Sequence, residues 1–321
     1  MAPCRLIRTP SDDPHHSGLY LACDARGGSL SLDCQLAQRS VQAQILFIHA
    51  VHCNELFPSL PNLLLELPME KQTTQTSLKS SINNAFYDEL HEQWYTQSSH
   101  PIALLRAENA VRNPWISQEI QNRFKTPITL LDVGCGGGLL TNALAKEGHA
   151  VTGIDLSEPS LSIAKKHDAT KNTQYIKADA YQLPFEAGAF DVVCAMDILE
   201  HVEHPATLIQ EASRVLKSGG LFFFHTFNRN LFSYFFVIKG VEWCVKNTPK
   251  RMHVYSLFIK PQELRLLCER QGLYIETLRG LHPRFSSSFF RLLLTRTMPP
   301  DFSFCFSKNL LTGYCGIAKK L

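Results

Sequence analysis

The chain has 321 residues, is 45% hydrophobic and 19% charged, and carries a net charge of +3. That composition supports a sizeable core, rules out a wholly disordered chain, and is too weakly basic to point to nucleic acid. Ten cysteines without a CxxC pair exclude a zinc ribbon or a disulfide framework and suit a reducing compartment, and no run of 18 apolar residues marks a transmembrane helix.

Residues 1–68 show no sustained period. They contain PSDDPHHSG, GGSLSL and PSLPNLLLELP, and hold four basic and six acidic side chains, −2, so the rest carries +5. QILFIHAVH at 44–52 is too short and too far in for a secretory signal. Arg5 and Arg8 hint at a transit peptide, but Asp12, Asp13 and Asp24 argue against one. Met69 opens MEKQTTQTSLKSS, a stretch typical of a true N-terminus. Residues 1–68 are therefore expected to be an accessory or poorly ordered segment, or upstream sequence read from a wrong start.

From residue 82, INNAFYDELHEQWY and ALLRAENAVRNPWISQEI show helical spacing, which predicts a helical cap over 69–125. Strand-like and helix-like runs then alternate over 126–321. ITLLDV (128–133) is a buried strand, followed by helix LLTNALAKEG closed by Gly148. AVTGID (150–155) precedes a helix with Ser157 as its N-cap. TQYIKAD (173–179), FDVVCAM (190–196) and GLFFFHTF are further strands, with helix PATLIQEASRVLK before the last of them. Helix PQELRLLCERQG, strand LYIETLRG and strand TGYCGIAKK close the chain. This alternation predicts an α/β fold, a mostly parallel sheet with helices on both faces.

The first strand runs into G-C-G-G-G, where glycine permits sharp turns and close backbone approach to a ligand. Asp155 ends the second strand about twenty residues later, where an acid accepts hydrogen bonds from ribose hydroxyls. These features leave NAD and S-adenosylmethionine both open.

LLDVGCGGGLLT, TGIDLS, ADAYQLPF, FDVVCAMDILEHV and RVLKSGGLFFFHT together resemble the motifs of Rossmann-like class I S-adenosylmethionine-dependent methyltransferases, over about residues 82–321. That resemblance implies a seven-stranded sheet, and nothing in the chain resembles a nicotinamide half or a hydride-relay histidine. MDILEHV, FNRN, TPKRMHVYSLFIKPQEL and GYCGIAKK extend it to the ubiquinone-biosynthesis O-methyltransferases, which methylate polyprenyl catechols. The departures are Asp197 in place of the family's usual Glu, TPKRMHVYSLF in place of PKGTHxxxKF, and a loosely similar 295–310. The resemblance implies Arg112, Asp132, Gly134, Gly136, Asp155, Asp179 and Met196 as cofactor-binding residues. Read without it, Arg112 is a helix-surface arginine, Asp179 a turn former and Met196 a core filler. Cys135 reads as a packing residue, because methyl transfer from a sulfonium needs no covalent enzyme intermediate.

MDILEHVEH (196–204) lies just past the fourth strand. On a helical turn, Asp197, Glu200 and His201 share one face. Two carboxylates and an imidazole suit a hard cation, and the resemblance implies Mg2+ or Zn2+ there, chelating catechol oxygens. The other readings are His201 as a metal-free general base and a Glu200 or His201 that simply caps a helix or orients a loop; His201 and Glu200 are the catalytic candidates. Glu203 and His204 read as a solvated helix start before Pro205.

The insertion 229–260 holds Arg229, Lys239, Lys246, Lys250, Arg251 and Lys260 against one acid, Glu242, and contains LFSYFFVI and Trp243. It reads either as a lid or as a segment lying on anionic lipid. The expectation is a cytoplasmic enzyme, peripheral on the inner face of a membrane (the mitochondrial matrix side in a eukaryote). Its partners are a polyprenyl catechol and a ubiquinone-biosynthesis complex, with no nucleic acid. Two rivals stand: a methyltransferase for another small phenol or carbon centre, and a non-catalytic lipid-binding subunit with this fold.

Overall fold

The computed structural model describes residues 5–8, 19–22, 82–125 and 127–321. Within the first 75 residues, β1 (Arg5–Arg8) and β2 (Leu19–Ala22) pair antiparallel. The rest of the expectation for 1–68 lies outside the described residues.

The unit from Thr76 onward is built on one sheet of eight strands. Chain order runs β3 (Thr129–Val133), β4 (Ala150–Asp155), β5 (Gln174–Lys177), β6 (Phe190–Met196), β7 (Leu216–Phe227), β8 (Leu273–Pro283), β9 (Phe304–Ser307) and β10 (Gly313–Lys320). Spatial order is β5-β4-β3-β6-β7-β10-β8-β9. The first five strands are parallel, while β10 runs antiparallel between β7 and β8, and β9 runs antiparallel on β8. The expected seven-stranded sheet is thus extended by β9, whose FCFS is too short to stand out as a strand by alternation.

Strands covered on both faces need apolar side chains on both, and β7 supplies them: Phe222, Phe223 and Phe224 are all fully buried. Helices α3 (Thr141–Ala145), α4 (Glu158–His167), α5 (Pro205–Val215) and α8 (Pro261–Glu269) alternate with the strands. In α5, Leu208, Ile209, Ala212 and Val215 recur at three and four positions and are buried, and Pro205 sits in the first turn, where its missing N–H costs nothing. The Ser157 hydroxyl caps α4 by accepting from the Ser160 amide, and Gly148 turns the chain after α3 at φ +90°.

The helical cap is shorter than its pattern predicts. Residues 82–96 form a 3-10 turn (Ala85–Glu89) and α1 (Gln93–Thr96), separated by His91 at φ +43°. Regular helix begins only with α2 (Ile102–Arg123). The aromatic residues of 82–96 pack onto the glycine loop and the cavity instead of along a helix stripe. The insertion after β7 folds as α6 (Leu231–Ser233), a π-helical turn (Tyr234–Lys239) and α7 (Gly240–Cys244). A further helix, α9 (Ser287–Thr295), touches α7.

Candidate active site

A cavity of about 750 Å³ opens at the carboxyl ends of β3, β4 and β6, the place where open α/β sheets bind ligands. Its lining includes Asp132, Gly134, Gly136, Asp155, Asp179, Met196, Asp197 and His201.

The loop after β3 is folded by glycine. Gly134, Gly136 and Gly138 have φ of +72°, +52° and +80°, where a Cβ is strained. A Cβ on Gly136 would lie 2.4 Å from the Trp94 ring, so the loop is pressed directly under that indole. The Trp94 indole N–H donates to Ser160 Oγ (3.3 Å), and the Tyr95 hydroxyl donates to the Gly137 carbonyl (2.8 Å). Asp155 accepts from the Gly136 amide (2.9 Å) and the Ser157 amide (2.8 Å), tying β4 to the loop. Asp132 accepts from Thr141 (2.6 Å); burial, with help from Asp155, pushes its carboxyl up to about 7 against that hydrogen bond. Asp179 forms a turn by accepting from the Tyr181 amide (2.9 Å) while facing the cavity.

Arg112 is not among the cavity-lining residues. Its guanidinium is fully buried and forks onto Asp197, at 2.7 and 2.5 Å, with Glu108 at 3.3 Å. His225 Nδ1 bonds the same Asp197 carboxylate. Arg112 thus holds Asp197 at the end of β6. Asp197 has φ +61°, an unusual conformation for a residue with a Cβ, and the fork holds it there. Burial pushes the Asp197 carboxyl up, but the Arg112 and His225 charges win and hold it well below the usual carboxylate range. Burial opposes a charge on His225, and Asp197 overcomes it and raises its pKa.

The ligand set Asp197, Glu200, His201 is not assembled. Among the described residues, the acid and histidine ligand atoms that converge within 4.8 Å are those of Glu108, Asp197 and His225, and Arg112 already supplies their cation. Glu200 lies fully buried and is not among the cavity-lining residues; the Thr226 hydroxyl is beside its carboxylate. Burial first, and the Asp197 charge second, push its pKa up to about 7. Asp197 lies outside the 3-10 turn Leu199–His201 and has φ +61°, so the three residues do not share one helical face.

His201 does face the cavity. Its Nδ1 lies 3.1 Å from Asn84 Oδ1, while the Asn84 amide nitrogen donates to the His201 carbonyl (3.2 Å). That second bond fixes which way the amide points, so Oδ1 accepts and Nδ1 carries the proton. Nε2 keeps its lone pair and receives the Tyr87 hydroxyl at 3.4 Å. Burial lowers the imidazole pKa to about 4, with Asp197 pulling it partly back. Burial raises the Tyr87 phenol, which stays a donor. Glu203 and His204 are exposed, consistent with a solvated helix start, and both also border the cavity.

Sequence reasoning missed Asn84, Tyr87, Trp94, Glu108 and His225. The signal for His225 was a lone histidine inside GLFFFHTF, because a fully buried imidazole requires a partner. The spacing of NNAFYDELHEQWY predicts a helix stripe, whereas Tyr87 bonds His201 and Trp94 covers the glycine loop.

Residues 131–224 match a family described as a methyltransferase domain. The chain is 38% identical over 202 residues to a ubiquinone biosynthesis O-methyltransferase of Coxiella burnetii, covering 62% of this chain and 84% of that protein. It is also 38% identical over 201 residues to one of Thiobacillus denitrificans, covering 61% and 84%. Among solved structures, magnesium protoporphyrin IX methyltransferase of Synechocystis with bound SAH superposes with a TM-score of 0.52 at 16% identity, covering 74% of this chain and 96% of that one. That likeness shows the fold.

Proposed function

The chain belongs to the family of ubiquinone biosynthesis O-methyltransferases, and from that premise we propose that its acceptor is a phenolic oxygen of a polyprenyl catechol. It is an S-adenosylmethionine-dependent methyltransferase. S-adenosylmethionine supplies an electrophilic methyl on a sulfonium. The chain's own residues supply the cradle, the orientation and the proton acceptor. The glycine loop under Trp94, with Asp132 and Asp155 on the cavity wall, suits a nucleoside with its amino-acid tail, and Met196 offers a soft apolar contact beside it. Burying the acceptor between Tyr87 and Met196 would exclude water and align the attacking oxygen.

One arrangement carries the mechanism: His201 lines the cavity, and its bonds to Asn84 leave Nε2, beside the Tyr87 hydroxyl, as the accepting nitrogen. A phenolic proton is lost near ~10 in water, so it must be removed as the oxygen attacks. His201 is neutral at physiological pH, takes that proton at Nε2 and becomes an imidazolium facing the Asp197 charge. Asn84 holds the tautomer, and Tyr87 occupies Nε2 until an acceptor hydroxyl replaces it. The cation implied for Asp197, Glu200 and His201 takes no part in this mechanism, because their donor atoms do not converge.

Methyl transfer to a prenylated catechol, followed by mass spectrometry of the product with magnesium and then with EDTA, tests the reading. Product formed equally in both supports the metal-free base. Turnover abolished by EDTA and restored by magnesium would overturn it. No product despite measured cofactor binding would remove the acceptor.

We also propose that the insertion after β7 rests on anionic lipid. No helix among the described residues is long and apolar enough to cross a membrane. Leu231, Phe235 and Trp243 are more than half exposed, and α9 adds Phe290 and Leu294 beside them. Lys246, Lys250 and Arg251 follow α7 directly. Apolar side chains rimmed by cations suit insertion into an anionic interface, at about 1 kcal/mol per basic residue near the surface. Reversing Lys246, Lys250 and Arg251 to Glu is expected to weaken co-sedimentation with anionic vesicles roughly 100-fold or more. Unchanged binding would sink the claim.

A further inference from the structure

We propose that the groove between the 199–205 segment and α8 holds the apolar chain of the acceptor. The inference rests on the polyprenyl catechol reading above. A second cavity, of about 330 Å³, lies there and shares Val202 and Glu203 with the reaction cavity. Its volume falls at the low end of small-molecule sites, about 300–1,000 Å³. Its walls are largely hydrocarbon: Val202, Leu257, Ile259, Leu266 and Leu267. Leu266, on one wall, is 49% exposed and so open to a ligand.

Four charged residues also line the groove, Glu203, Arg229, Glu263 and Arg270. Arg229 is bonded to Glu263 (2.5 Å) and donates to the Phe258 carbonyl (3.1 Å), so this cation is already satisfied within the protein. A ligand entering here gains chiefly from removing apolar surface from water. The two cavities are adjacent, since Val202 and Glu203 line both. The reaction cavity must hold both a nucleoside and an aromatic ring, and a repeated isoprenoid chain on that ring needs a separate apolar path. Val202 and Glu203, which line the groove, immediately follow His201 in the chain.

Leu266→Glu puts a charge on the groove wall at an exposed position, where folding is least disturbed, and a thermal melt checks that. In one fixed detergent, kcat/KM would be compared for 4-methylcatechol and for a catechol with four isoprene units. The expected result is a loss of about tenfold or more for the prenylated acceptor, through KM, and less than twofold for methylcatechol. Leu266→Met should keep both values. Equal losses for the two acceptors, or none, would overturn the groove alone, since wild-type turnover of the prenylated catechol would still stand. A wild-type protein that methylates neither acceptor would overturn the acceptor assignment and the groove with it.

Discussion

His201→Ala should lower kcat by about 10²–10⁴-fold while leaving S-adenosylmethionine binding within a few-fold of wild type. The imidazole is the side chain at the cavity wall with an unprotonated nitrogen set by a defined hydrogen-bond chain, from the Asn84 amide through Nδ1 to Nε2. The alternative base, Glu200, is fully buried and does not border the cavity. Tyr87→Phe is the informative companion. It removes a donor that competes for Nε2 but leaves the ring stacked on Trp94, so its effect on kcat should be small. Single-turnover rates and cofactor titration would be measured on each variant. An alanine variant within threefold of wild type in kcat would eliminate His201 as the base and return the proton to solvent or to a metal.

The contrast between Glu200 and His225 shows which parts of this site are legible in sequence. Strand-to-loop motifs are local: a run of apolar residues ending in glycines, or in a single acid, determines its own geometry. The loop 134–138, Asp155 and Ser157 therefore lie where their spacing places them. The partner of a buried charge is not local. Asp197, Glu200 and His201 look like a ligand set only if the turn is α-helical, and the turn is 3-10 with Asp197 in the left-handed region. What holds Asp197 there comes from Arg112, 85 residues earlier, and from His225, 28 residues later. The cap fails for a related reason. The spacing in INNAFYDELHEQWY describes which side chains are apolar, and those side chains are spent on the glycine loop and His201 rather than on a helix interface.

Arg112→Met is expected to be the most destabilising single change near the site, costing about 3–5 kcal/mol, a large share of the 5–15 kcal/mol typical of a domain. The guanidinium is fully buried against Asp197 and Glu108, and methionine matches part of its length but leaves two carboxylates facing His225 alone. The pH dependence separates this from simple loss of packing. In the wild type, Asp197 has a depressed folded pKa. It therefore contributes stability that is fully present above the ordinary unfolded carboxylate value, ~3.9, and lost as pH falls through the folded pKa. Without Arg112 that depression shrinks. Protonating Asp197 and Glu108 in acid then relieves the uncompensated charge, so the penalty should be largest near neutrality and diminish toward acid. Urea unfolding from pH 7 down to 4 would measure both proteins. Two curves that stay parallel across that range would mean the pair is held by shape rather than charge, and the positioning role assigned to Arg112 would fall with it.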